Sequence, residues 1–263
     1  MPLSASDRLA TGTATKYGRA GRTLLWIVLS AYPVFAGPPF HTDDPEPVAY
    51  HHWEAYLFAT ADRAKGGRTY QVPAWELNAG VAPNLQLHLV VPLAYFRAPG
   101  ERGAYGVADI ETGIKYRFVS ETSTRPQIGI FPMLEIPSGS ESRGLGNGKA
   151  WARLPVWIQK KMDGWTTYGG AGWIINAASG MRSHPFGGWL LQRAINKRVS
   201  LGGEVYSEGT QGLDLPAFVV LTFGGYYNVN KHFSILFNAG RQVAGGPHTI
   251  GYLGLYWTWG PDK

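Results

Sequence analysis

The chain has 263 residues, of which 16% are charged and 13% aromatic, with 35 glycines, no cysteine and a net charge of +6. The lack of cysteine excludes a disulfide framework and thiolate chemistry. The excess charge is dispersed: Arg8, Lys16, Arg19 and Arg22 lie near the amino terminus, and no later basic run carries interleaved aromatics, which sets nucleic-acid binding aside.

The first distinctive stretch is LLWIVLSAYPVFA from Leu24, which follows the basic residues and ends with small residues at Val34 and Ala36. Its apolar core of about a dozen residues is too short for a membrane helix, which needs roughly 20. A basic lead, a short apolar core and a small-residue end predict a secretory signal peptide over 1–36. A periplasmic segment over 37–47 is expected next, and then a β-domain over 48–260.

From residue 48 onward the chain alternates apolar and polar residues with a period of two, the signature of strands whose two faces meet different surroundings. In the first segment, 48–60, Trp53, Ala55 and Leu57 oppose Glu54 and Tyr56. Trp75, Leu77 and Val81 follow in 70–82, a Pro-Asn turn comes at 83–84, and LQLHLVVPLAYF sets its leucines on one side. In GVADIETGIKYRF (106–118), Ile110, Ile114, Tyr116 and Phe118 take one face and Asp109, Glu111, Lys115 and Arg117 the other. Segments at 126–137 and 150–162 continue the pattern, Asp163-Gly164 reads as a tight hairpin turn, and Trp165 opens the seventh segment. Five more lie near 186–196, 198–207, 216–228, 232–243 and 249–259. Pro73, Pro92, Pro132 and Pro155 fall inside segments where each removes a ladder donor, so bulges or local edges are expected there.

Twelve such segments, an even number and long enough to cross a bilayer at about 9–11 residues each, predict an all-β fold: an antiparallel transmembrane β-barrel of about 12 strands. A β-sandwich is the competing arrangement. The last segment, YLGLYWTWG, is amphipathic and ends on an aromatic residue, resembling the signal by which bacterial outer-membrane barrels are recognised by the barrel-assembly machinery.

Several stretches together resemble a bacterial outer-membrane family labelled transporter, or MetA-pathway of phenol degradation. They are TDDPEP with the strand after it (Thr42 to Glu54), DIETGIKYRF, EIPSGS with GLGNG (Glu135 to Gly148), LPVWIQKKMDGWTTYGGAGW and NVNKHFSILFNAGR. The resemblance implies an outer-membrane β-barrel that moves small organic molecules. The partners it implies are outer-membrane lipids and small organic solutes.

Candidate sites were weighed against plainer roles. His41, Asp43 and Asp44 in HTDD have metal-ligand chemistry, but a capped turn ahead of the first strand accounts for them, so no metal or other cofactor is expected. GLGNGK at 144–149 lacks the spacing and the hydroxyl residue of a phosphate-binding loop, and is expected to be a surface or lumen-folding loop. His232 and Ser234, with Asn238 nearby, resemble the layout of the outer-membrane phospholipase A family. Phe233, Ile235 and Phe237 claim the apolar face, however, which turns His232 and Ser234 inward, away from lipid.

The remaining candidates are charges that alternation places toward a lumen: Glu54, Glu76, Asp109, Glu111, Lys115, Arg117, Glu135, Arg153, Lys161 and Glu204. The expected function is a non-enzymatic channel or transporter for passive uptake or binding of small organic solutes, including hydrophobic or aromatic ones. The alternatives are a lipid hydrolase using Ser234 and His232, and a structural barrel whose lumen is plugged.

Overall fold

The computed structural model describes residues 39–64, 66–212 and 215–261. The expected signal peptide lies outside the described residues. Fourteen strand segments run in chain order: β1 Trp53–Ala64, β2 Gly67–Ala82, β3 Leu85–Arg97, β4 Ala104–Val107, β5 Ile110–Val119, β6 Gln127–Ile130, β7 Met133–Ile136, β8 Trp151–Met162, β9 Trp165–Asn176, β10 His184–Ala194, β11 Val199–Glu208, β12 Phe218–Asn228, β13 Phe233–Ala244 and β14 His248–Trp259. β4 and β5 both pair with β3, and β6 and β7 both pair with β5 and β8, so each couple is one interrupted strand. Twelve antiparallel strands result, and β1 closes the ring against β14 from Trp53↔Trp259 to Ala64↔His248. Closure leaves no sheet edge, and it rules out the β-sandwich.

The prolines explain the interruptions. Pro73 sits where β2 slips against β3 between Gln71 and Ala74. Pro92 on β3 faces the gap between β4 and β5, where its carbonyl accepts from the Ala108 amide at 3.0 Å. Pro132 separates β6 from β7, and Pro155 on β8 lies opposite that same gap. A residue without an N–H cannot hold a central ladder position, so the ladder steps around it.

Alternation sorts the two faces of the wall. Ile114, Tyr116 and Phe118 are exposed on the outside, as are Leu134, Val156, Trp173, Leu221 and Leu253. Their neighbours in sequence point inward and are buried: Lys115, Gln127, Gln159, Gln192 and Glu204 with Tyr56, Tyr206 and Tyr256. One end of the barrel carries Trp53 and Trp259, stacked at 6.3 Å between ring centroids, with Trp165, Trp257 and Tyr227 near the same rim. Apart from 120–126 its turns are short, among them 83–84 and 163–164; in the latter Asp163 and Gly164 both take positive φ (39° and 79°), as a type I′ hairpin demands. The other end has longer connections, including 98–103, 137–150 and 177–183. These loops share one rim, in keeping with the asymmetry of outer-membrane barrels.

The outward apolar band makes a direct prediction. Val156→Arg, near the middle of β8 and half exposed on the outer wall, should lower folding stability in phospholipid vesicles by about 2–4 kcal/mol. Urea titration of the vesicle-inserted protein measures it.

Candidate functional site

The lumen is occupied by the chain's own residues 39–48, the segment expected to be a periplasmic lead-in to the barrel. From Pro39 onward it lies inside the barrel instead, because its polar groups find partners on the inner wall. The Asn238 side-chain amide donates to the Pro39 carbonyl, and the Thr42 amide donates to Glu204 Oε1. Phe40 enters an aromatic cluster with Tyr56, Phe58, Tyr168, Leu190, Tyr226, Leu236 and Tyr256. His41 stacks on Tyr206 with centroids 5.0 Å apart. Thr42 and Asp44 have no solvent exposure.

Local chemistry keeps this segment from becoming a strand. Asp43 Oδ1 accepts from the Asp44 amide at 2.7 Å, and Asp44 Oδ1 accepts from the Glu46 amide. These Asx contacts, together with Pro45 and Pro47, favour a turning path. The Val48 amide donates to Gln86 Oε1 at 2.8 Å, and His51 and His52 then exchange backbone bonds with Gly80 at the rim. Ala49 passes so close to Gly80 that a Cβ there would collide with its carbonyl.

The three acidic side chains of the segment are each met by the wall. Lys115 Nζ lies 2.8 Å from Asp43 Oδ1 and 3.7 Å from Asp44 Oδ2. Glu46 Oε2 accepts from Lys161 Nζ at 2.6 Å, Gln159 Nε2 at 3.0 Å and Gln127 Nε2 at 3.3 Å. Burial pushes the Asp44 carboxyl up to about 8, against the pull of Lys115 and with the push of Asp43 and Glu46. Burial also works upward on Glu46, but Lys161 and the two amides outweigh it and hold that carboxyl below its usual range. Near neutral pH one proton therefore stays on Asp44, and Lys115 is balanced by Asp43.

The sign of the pH dependence follows. A carboxyl whose docked pKa is raised binds its proton more tightly when docked, so docking weakens as pH climbs from the ordinary carboxylate range through about 8. Glu46 acts oppositely, and its contribution is lost as pH falls into its depressed range. A nitroxide attached at position 41 should therefore gain mobility as pH climbs from the ordinary carboxylate range toward about 8, and change little above it. Asp44→Asn should remove that change.

The other charges that alternation turns inward make the following contacts. Tyr56 and Tyr256 hydroxyls donate to Glu54 at 3.1 and 2.8 Å. Glu76 accepts from Asn78 Nδ2 at 2.8 Å and lies 3.6 Å from His88 Nδ1. Glu111 contacts His88 Nε2 at 2.9 Å and faces Glu135 directly across the β5–β7 ladder. Asp109 takes the Gly139 and Asn147 amides at 2.9 and 2.6 Å, which folds the 137–150 loop back into the barrel mouth. There Leu145 packs against Ala94 and Ala108, so this loop covers the inner face of β3 and β4.

Arg117 donates to Asn84 Oδ1 at 2.6 Å and Gln127 Oε1 at 3.0 Å, and Arg153 stands over the Phe186 ring, 3.9 Å from Glu208 Oε1. Glu204 binds the Thr222 hydroxyl as well as Thr42. Sequence reasoning missed Glu208, which collects Tyr206 Oη, His184 Nε2 and Gln211 Nε2. It also missed Gln127, Gln159 and His88. All four sit on the inward period of their strands, and alternation applied to uncharged polar residues and strand ends would have found them.

Among the described residues no group of three or more His, Asp or Glu is placed to hold a metal ion. The Ser234 hydroxyl donates to Asn228 Oδ1 at 2.8 Å, and His232 is exposed ahead of the first residue of β13.

No family model matches the chain, and no curated protein does. The resemblance to the phenol-degradation family therefore rests on the quoted motifs alone. Solved structures do match. A COG4313 outer membrane channel from Pseudomonas putida F1 superposes with a TM-score of 0.63 at 15% identity, over 82% of this chain and 98% of that one. The translocator domain of the autotransporter NalP from Neisseria meningitidis follows at 0.51 and 10% identity, over 78% and 88%. At these identities the likeness concerns the fold, and the fold is that of an outer-membrane β-barrel.

Proposed function

We propose that the protein resides in the bacterial outer membrane as a passive channel for small organic solutes, and that its segment 39–48 holds the path closed. The observation that carries this reading is the docking of that segment by polar contacts and ion pairs alongside the buried Phe40 and Val48. A purely structural plug would favour a dry apolar fit. Hydrated amide, hydroxyl and carboxylate groups can exchange the segment for water at modest cost. With the segment displaced, a lumen lined by Lys115, Lys161, Glu54, Glu76 and Glu204 is wide enough in a twelve-stranded barrel to hold water, and its charges would set selectivity. The Ser234 hydroxyl is engaged by Asn228 while His232 is exposed, which supports the channel over a hydrolase built on that pair. Passage through the barrel-assembly machinery is part of the proposal, with β14 as the recognised strand.

Planar-bilayer recording of the purified full chain tests the reading, together with uptake of labelled solutes by cells with and without the protein. Brief openings and protein-dependent uptake are expected. A membrane-inserted protein that never conducts, under any voltage or pH at which the segment is mobile, would leave only the structural barrel.

A further inference from the structure

The inner wall treats its own acids and bases differently. Four of its carboxylates are matched by donors that the wall itself supplies: Glu54 by two tyrosine hydroxyls, Glu76 by Asn78, Glu111 by His88, and Glu208 by Tyr206, His184 and Gln211. Two of its lysines are not matched in this way. Among the described residues, Lys115 and Lys161 form ion pairs only with Asp43, Asp44 and Glu46, all from the docked segment. The Lys115 side chain is 5% exposed. Two amides, Gln127 Nε2 and Gln159 Nε2, converge with Lys161 on one Glu46 oxygen.

The wall offers the Lys115 ammonium only the face of the Phe131 ring, 4.8 Å from its centroid, and a buried ammonium with no wall carboxylate is costly unless something in the lumen neutralises it. Charge-assisted donors converging on one carboxylate oxygen form a recognition site for that group. We infer that Lys115 on β5 and the Lys161–Gln127–Gln159 set on β6 and β8 are the channel's own carboxylate-binding sites. The acidic segment is a tethered occupant of them. The solutes they take are short-chain di- and polycarboxylates, which compete with the segment for the two lysines. This deepens the channel reading and rests on it for its transport meaning, but the binding itself is measurable without conduction.

The test uses the full chain in detergent micelles, with glutarate as probe and glutaramide as its uncharged counterpart. Wild type should bind glutarate weakly, because the segment fills the sites. D43N/D44N/E46Q, which removes the segment's charges, should bind it at least roughly tenfold more tightly and ignore glutaramide. Adding Lys161→Gln to that background should weaken binding by roughly tenfold again. Equal calorimetric titrations for glutarate and glutaramide, or no binding by the folded triple variant, would overturn the assignment. Folding is checked by heat-modifiable electrophoretic mobility. If the triple variant does not fold, Glu46→Gln alone frees the Lys161 set and must show the gain. The two readings fail separately: conductance without glutarate binding refutes the carboxylate sites and keeps the channel, and binding without conductance does the reverse.

Discussion

Gly188→Ala should open the channel without changing any charge. Gly188 lies on β10, opposite Gly170 on β9 and Tyr206 on β11, with its missing side chain directed at the docked segment. A Cβ built there collides with the Thr42 hydroxyl and crowds the Tyr206 ring. Thr42 has no room to yield, being fully buried with its amide tied to Glu204. The barrel backbone at this point is held by ladders on both sides, whereas the segment is held by side chains. Overpacking of about 1–3 kcal/mol should therefore fall on the segment and raise its undocked population by about one to two orders of magnitude. Single-channel recording should show longer openings, and a nitroxide at position 41 should become mobile. Normal closure with the label still immobile would mean that Thr42 does not gate the path.

Lys115→Met should have a larger effect through electrostatics. The substitution keeps the length of the side chain but leaves Asp43 beside a buried apolar group and removes the one cation that pairs with Asp44 among the described residues. Stranding one half of a buried pair costs about 3–5 kcal/mol, and the segment can escape that cost by leaving the lumen. Conductance should become nearly continuous, while barrel stability falls much less, because the strands retain their ladders. Restoring closure with the compensating D43N/D44N change would assign the effect to the pair. Persistent opening in that triple variant would assign it to packing at Lys115.

Much of the wall was legible because β-structure writes its pattern locally. Ile114, Tyr116 and Phe118 against Lys115 and Arg117 state which face is outer within five residues, and Asp163-Gly164 states its own turn. The inward charges followed from the same alternation. The docking of the segment left no such signal. HTDDPEP has no period, and its partners Lys115 and Lys161 are 72 and 115 residues away from the acids they bind. Asx turns and prolines announced a turn at that point, which is correct, but a turn can sit outside a barrel as readily as within it. The four strand prolines were visible too. That they split two strands into halves depends on their falling opposite one another across neighbouring strands, a property of register that no single strand contains.

Those proline steps make the barrel mechanically uneven. From β8 through β14 to β1 the hydrogen-bonded ladders run nearly without interruption, with one slip between β12 and β13. From β2 to β8 every junction carries a slip or a gap. A cylinder built this way does not dilate evenly. Amide exchange is therefore expected to be faster along the stepped half, which carries Lys115 and borders Lys161, than along the continuous half that joins the first strand to the last.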